Sequence, residues 1–277
     1  MLIALVMLFC TNAYSQNTDY KVYAIKFADS TYPFTIGDWA DGGPKTESVE
    51  IDFMVWLIKG SNGKGILVDA GFLGDTKDAA DFKLAGYIRP DSAILKVGVK
   101  PEDITDIILS HPHWDHMGGI GLFPNAQIWM QRDDFEYFVG KAWQKDGNKG
   151  GFAKRDVQQI VDLNLKGKVT LVEGDDKQIL PGITVYTGSK HTFDSQYVLV
   201  NTGKNKVILA SDNIWVYYSL EHLAPASPGG TLDPAGYVRA MQRMKSLVSD
   251  PKFIIPGHDS AVFGKFPAVS EGVVEIK

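Results

Sequence analysis

A chain of 277 residues, 44% hydrophobic and 22% charged, has the make-up of a soluble globular protein of one large domain or two small ones. Its formal net charge of -5, with no cluster of Lys and Arg, argues against a nucleic-acid substrate, which needs a basic face along the phosphates. The apolar run Met1 to Cys10 is too short to span a membrane but has the length of a signal-peptide core, and Ala13-Tyr14-Ser15 offers small residues at alternate positions. Residues 1–15 are therefore expected to be a leader, with 16–277 as a single domain in the periplasm or outside the cell. No Lys or Arg precedes the run, which leaves open a start further upstream or a buried strand. Cleavage before Gln16 would remove Cys10, the only cysteine, so neither a disulfide nor a thiolate metal ligand is expected.

In chain order, Tyr20 to Phe27 alternates and Ile51 to Ile58 is a long apolar run, so both read as strands. Gly65 to Gly71 reads as a buried strand ending in a turn, and Asp75 to Val99 as a helical stretch broken at Pro90. A short helix at Pro101 to Ile104 leads into the buried strand Ile107 to Leu109, which runs straight into Ser110 and His111. Gln127 to Gln131 reads as a strand, Asp133 to Lys145 as a helix, and Gly147 to Gly151 as a polar connection. Strands are expected at 169–173, 183–188, 197–201 and 207–210. Asp233-Pro234 then caps a helix through Val248, and the short strand Phe253 to Ile255 delivers Pro256-Gly257-His258.

His111-Pro112-His113-Trp114-Asp115-His116 places three of the six histidines and a carboxylate within six positions, on a loop stiffened by Pro112 and closed by Gly118-Gly119. Core packing does not require that pattern. Imidazole nitrogen and carboxylate oxygen are the ligands of zinc and its neighbours, and turn geometry lets His111 and His113 face one metal while Asp115 and His116 face a second.

This hexapeptide resembles the His-x-His-x-Asp-His signature of the metallo-β-lactamase superfamily, and the later ligands follow in order, each just after an apolar strand: His191, Asp212 and His258. The resemblance implies an α/β fold, a four-layered αββα sandwich of two mixed β-sheets. It implies that His111, His113 and His191 hold one divalent metal, that Asp115, His116 and His258 hold another, and that Asp212 bridges them. Zinc stands first among the metals, with cobalt, iron and manganese open to the same ligands. Two cations ~3.5–4 Å apart would polarise a carbonyl and present a bridging hydroxide to it, with Asp115 carrying the proton to the leaving oxygen. Asp69 resembles the superfamily's aspartate that orients a ligand histidine, and equally suits a plain turn cap in Asp69-Ala70-Gly71.

With His113 where the oxygen-reducing branch would resemble a glutamate, redox chemistry is disfavoured. What remains are hydrolases with a bridging aspartate. Among these the layout is most similar to N-acyl-homoserine lactonases, which implies opening of a lactone ring and a homodimer, with a β-lactamase or a phosphoester or thioester hydrolase as the alternative. Those lactonases carry a tyrosine three positions past the bridging Asp, where this chain has Trp215, so Tyr217 or Tyr218 would have to supply a hydroxyl. The small-molecule substrate is expected to carry an apolar tail, with Trp114, Met117, Trp143, Phe152 and Trp215 as possible walls, although Trp143 and Phe152 suit the core better.

Overall fold

The computed structural model describes residues 19–61 and 63–277, and the leader expected at 1–15 lies outside them. The strands are β1 (Lys21–Ser30), β2 (Asp52–Lys59), β3 (Gly65–Val68), β4 (Leu84–Ala85), β5 (Ile104–Ile108), β6 (Gln127–Gln131), β7 (Val169–Val172), β8 (Lys177–Leu180), β9 (Ile183–Thr187), β10 (Gln196–Asn201), β11 (Lys206–Ser211), β12 (Ile254–Pro256), β13 (Ala268–Ser270) and β14 (Val273–Ile276). They form a larger sheet ordered β13-β14-β1-β2-β3-β5-β6-β7, with β4 beside β1, and a five-stranded sheet ordered β12-β11-β10-β9-β8. Both are mixed: β3, β5, β6 and β7 run parallel to one another, as do β11 and β12, while the other neighbours are antiparallel.

The period-two alternation read in β1 sorts its side chains into two cores. Val22 and Ala24 join Trp56 and Ile58 of β2 in a cluster shared with the five-stranded sheet and with Tyr237, Met241 and Met244 of the helix Pro234–Leu247. Tyr23, Ile25 and Phe27 face the opposite way, into a cluster with Phe135 and Phe138 of one helix, Arg132–Val139, and Ile160 of another, Lys154–Leu165. The layers are thus helix, sheet, sheet, helix.

The stretch 75–99, expected as one broken helix, is instead a 3-10 turn (Lys77–Phe82), the short β4, one helical turn (Pro90–Ala93) and a second 3-10 turn (Ile94–Val97). Gly86 and Gly98 adopt positive φ there, which no continuous helix accommodates. Expected as a helix through Lys145, the segment after β6 ends at Val139 and continues as a 3-10 turn at Lys141–Trp143. β8 and the C-terminal hairpin β13-β14 were not anticipated. Among the described residues, no helix is long and apolar enough to cross a membrane.

Asp156, in the first turn of the helix Lys154–Leu165, is fully buried with both carboxylate oxygens lacking a hydrogen-bond partner. Burial pushes its carboxyl from 3.8 up to about 6, against the pull of Arg155. A raised acid binds its proton more tightly folded than unfolded, so its contribution to stability falls as pH rises through that window. Asp156→Asn is therefore expected to stabilise the fold by about 1 kcal/mol at neutral pH, a gain limited by the new amide's own unmet bonds. Thermal unfolding across pH checks this, since the gain should vanish below about pH 4.

Candidate metal centre

Strand direction gathers the site. β3 and β5 are parallel in one sheet; β9, β11 and β12 point the same way in the other, because β10 lies antiparallel to both β9 and β11. Asp69, His111, His191, Asp212 and His258 each follow the C-terminal end of one of these strands, so residues up to 189 positions apart in sequence meet at one edge of the sandwich. Three of the turns that deliver them use left-handed backbone on residues other than glycine: Asp69 itself, Lys190 before His191, and Ser211 before Asp212. Such strain persists only where the surroundings over-determine it. The hexapeptide loop ends in the single helical turn Trp114–Met117.

The structure brings all seven ligand candidates together in two groups, His111, His113, His191 and Asp212 in one and Asp115, His116 and His258 in the other, with donor atoms within 4.8 Å of one another in each. Asp212 reaches both. Its Oδ2 lies 3.3 Å from His191 Nε2 and 3.8 Å from His111 Nε2, while its Oδ1 lies 3.2 Å from His116 Nε2 and 3.0 Å from His258 Nε2. Asp115 Oδ2 lies 3.3 Å and 3.5 Å from the same two nitrogens of the second group. His113 turns its Nδ1 inward, 3.0 Å from His191 Nε2.

The opposite ring nitrogens are held from outside. His116 Nδ1 lies 2.8 Å from Asp69 Oδ2, His111 Nδ1 is 2.8 Å from Ser110 Oγ, His191 Nδ1 is 2.7 Å from the Gly230 carbonyl, and His258 Nδ1 is 3.2 Å from the Asp52 carbonyl. With those nitrogens protonated, every Nε2 of these four rings presents a lone pair inward. Asp69 also accepts the Ser110 N–H at 2.8 Å and the Ser211 hydroxyl at 2.7 Å, so it fixes His116 directly and the His111 loop through Ser110. Ser211, Gly230 and Asp52 carry no mark in the sequence as partners of ligands, and two of them act through backbone carbonyls. Asn213, also unanticipated, ties the His191 loop to the Asp212 loop by accepting from Ser189 and Ser195 and donating to the Gln196 and Ala210 carbonyls. Gly257 is required by contact: a Cβ there would come within 2.5 Å of Asp212 Oδ1.

This donor set fits a pair of divalent cations. His111 Nε2, His116 Nε2 and Asp212 Oδ1 are buried without a hydrogen-bond partner, a cost that a cation between them removes. Burial drives His113 down to about 3, and burial together with the neighbouring imidazoles drives His111 well below its ordinary value, so both are neutral ligands at neutral pH. Burial pushes His116 and His258 the same way, but the carboxylates outweigh it: Asp115, Asp212 and Asp69 hold His116 well above its ordinary value, and Asp212 and Asp115 raise His258. Burial alone would raise Asp212, yet His258 and His116 hold it well below the carboxylate range. A cation must therefore displace protons from His116 and His258, and metal affinity is expected to rise with pH until both are neutral, by up to about tenfold per pH unit per proton. Zinc dissociation constants at about pH 6 and about pH 8 check this.

The centre opens into a cavity of about 560 Å³ whose apolar walls are Phe34, Trp39, Phe82, Trp114, Trp215 and Leu232. Four of these walls were missed in sequence, although aromatic residues crowd the segment 32–39. Met117, expected as a wall, is instead fully buried in the core beneath the loop. Tyr217 and Tyr218 do not reach the cavity either. Tyr217 is buried under Lys265, and Tyr218 stacks on the exposed His222. Phe152 packs against the His113 ring, and the indole of Trp143 donates to the Phe138 carbonyl.

A family model described as the metallo-beta-lactamase superfamily matches residues 54–258. The chain belongs to this superfamily. Among its relatives there, an N-acyl homoserine lactonase from Bacillus cereus is 30% identical over 178 residues, 64% of each chain. The N-acyl homoserine lactonase AttM from Azorhizobium caulinodans is 28% identical over 183 residues, 61% of this chain and 64% of that one. The match thus spans somewhat less than two thirds of these relatives' length. Among solved structures, a mutant of B. thuringiensis AiiA with N-decanoyl-L-homoserine at its active site superposes with a TM-score of 0.68 at 21% identity, covering 91% of this chain and 98% of that one. AidC, described as a dizinc quorum-quenching lactonase, gives 0.61 at 17% identity, with 87% and 88% covered. At these identities the structures share the fold with this chain.

Proposed function

We propose that this protein is a two-metal hydrolase that opens a lactone ring, with N-acyl homoserine lactones as the leading substrate class. The observation that carries the reading is a bridged His/Asp centre at the floor of an aromatic cavity in which, among the described residues, no Lys or Arg lines the wall. Such a cavity suits a neutral ester with an apolar tail better than a phosphodiester, whose charge favours cationic side chains. The naming of its superfamily relatives as N-acyl homoserine lactonases supports the same class.

Divalent cations, zinc first among them, would be held by His111, His113 and His191 on one side and Asp115, His116 and His258 on the other with Asp212 between, and would supply Lewis acidity and an acidified water. The chain's own residues do the rest. Asp212 and the five inward imidazoles preorganise the centre, and the aromatic walls exclude bulk water and seat the tail. As water's oxygen bonds to the carbonyl carbon and the ring C–O bond breaks, Asp115 passes the water's proton to the leaving alkoxide. Asp115 lines the cavity, and a cation held beside it would keep its carboxyl low, so it surrenders the proton readily.

The test is proton release by the zinc- or cobalt-loaded protein on acyl-homoserine lactones, simple lactones, a cephalosporin and a phosphodiester, with His113→Ala as control. Lactone opening that the control lacks supports the proposal. Silence on lactones with turnover of the cephalosporin or the phosphodiester would discard it.

A further inference from the structure

Trp215 occupies the position where lactonases resembling this chain carry a tyrosine, and its polar atom is already committed. The indole Nε1–H donates to Asp212 Oδ2 at 2.7 Å. The ring that carries it is held on several sides. Trp39 meets it edge-on at 5.2 Å and His191 at 5.5 Å. Gly230 leaves it room, since a Cβ there would come within 2.1 Å of Cη2. The backbone of Trp215 is tied to the same centre. Its N–H donates to Tyr237 Oη at 3.1 Å, Tyr237 in turn donates to the Asp212 carbonyl at 3.2 Å, and the Trp215 carbonyl accepts the N–H of His258 at 3.0 Å. Gly230, which makes space for the indole, is also the residue whose carbonyl fixes His191.

We propose that Trp215 is a positioning residue whose indole N–H locks the Asp212 carboxylate across both halves of the centre and so sets the protein's affinity for its metals. The inference rests on the two-metal reading of the cluster and not on the identity of the substrate. Asp212 turns Oδ2 toward His191 and His111 and Oδ1 toward His116 and His258, and free rotation about Cβ–Cγ would disperse that arrangement. A charge-assisted bond to Oδ2 from a ring that cannot turn selects one orientation before any metal arrives. With its single N–H engaged there, Trp215 presents to the cavity only an aromatic face, so it does not do the work of a tyrosine hydroxyl.

The experiment measures zinc dissociation constants by chelator competition, with thermal unfolding of the metal-free protein alongside. It compares the parent chain, Trp215→Phe, and a chain with benzothienylalanine at 215, which keeps the ring's shape and replaces N–H by sulfur. Both variants are expected to bind zinc about tenfold more weakly, or weaker still, in at least one of the two equivalents, while their metal-free unfolding temperatures stay close to the parent's. Affinities within about twofold of the parent in a folded variant would overturn the proposal. If the phenylalanine variant does not fold, the isosteric chain decides by the same criterion. A parent that binds fewer than two equivalents would overturn this inference through the two-metal reading beneath it, whereas failure to open lactones would leave it standing.

Discussion

Replacing Asp69 by alanine is expected to cost about 3 kcal/mol or more of stability and to weaken metal binding by about 10- to 100-fold, although Asp69 is not itself a ligand. The buried carboxylate accepts from the Ser110 N–H and the Ser211 hydroxyl and holds His116 Nδ1, all at 2.7 to 2.8 Å. Alanine would leave the Ser110 N–H buried without its acceptor, at about 1–3 kcal/mol, would reduce His116 Nδ1 to its longer 3.2 Å contact with Ser211 Oγ, and would place a residue with no side-chain hydrogen bond at a φ of 60°, in the left-handed region. Free of Asp69, His116 could present either nitrogen inward, and the His111 loop would lose its tie through Ser110. Asp69→Asn keeps the shape but offers one acceptor oxygen where there were two, so an intermediate loss is expected. Chemical unfolding of the metal-free chain and zinc competition measure the two effects separately. An alanine variant with unchanged stability and unchanged affinity would show that the network around Asp69 holds nothing.

Asp212→Ala is expected to reduce turnover by about a thousandfold, the scale of losing several kcal/mol of charge stabilisation, and to lower bound metal from about two equivalents toward one. Among the described residues no other carboxylate makes ion-pair contacts with histidines of both groups, since Asp115 pairs with His116 and His258. The variant also removes the carboxylate that does most to raise His258 and one of the three that raise His116, so both should become neutral more readily and titrate lower in the metal-free protein, His258 the more so. Metal analysis by mass spectrometry together with NMR titration of the histidines checks both consequences.

The clustering of the ligand candidates was legible in the sequence because metal-binding side chains stand just after apolar strands, and strand ends on one edge are where such a sandwich can collect them. His111 after Ile107-Ile108-Leu109 and His258 after Ile254-Ile255 are the clearest cases. Asp69 was legible only by resemblance, since a turn cap and an orienting carboxylate have the same local pattern; in the structure its carboxylate meets His116, Ser110 and Ser211 from distant segments. What surrounds the ligands was hidden for a different reason. The carbonyls of Gly230 and Asp52 are backbone atoms, brought to His191 and His258 from 39 and 206 positions away, and every residue type carries such a carbonyl. The cavity was misread in a similar way: Met117 adjoins His116 in sequence, but one helical turn carries it into the core, while Phe34, Trp39 and Phe82 arrive from segments with no ligand in them. The stretch 75–99, expected as helix broken only at Pro90, is divided into separate turns by positive φ at Lys83 and Gly86.

Titrating metal-free protein with zinc while following ring opening of an acyl-homoserine lactone shows whether a bridged pair of metals opens the ring. The rate is expected to climb until about two equivalents are bound and then level. A rate that saturates at one equivalent, or that never rises above the metal-free protein, would contradict it.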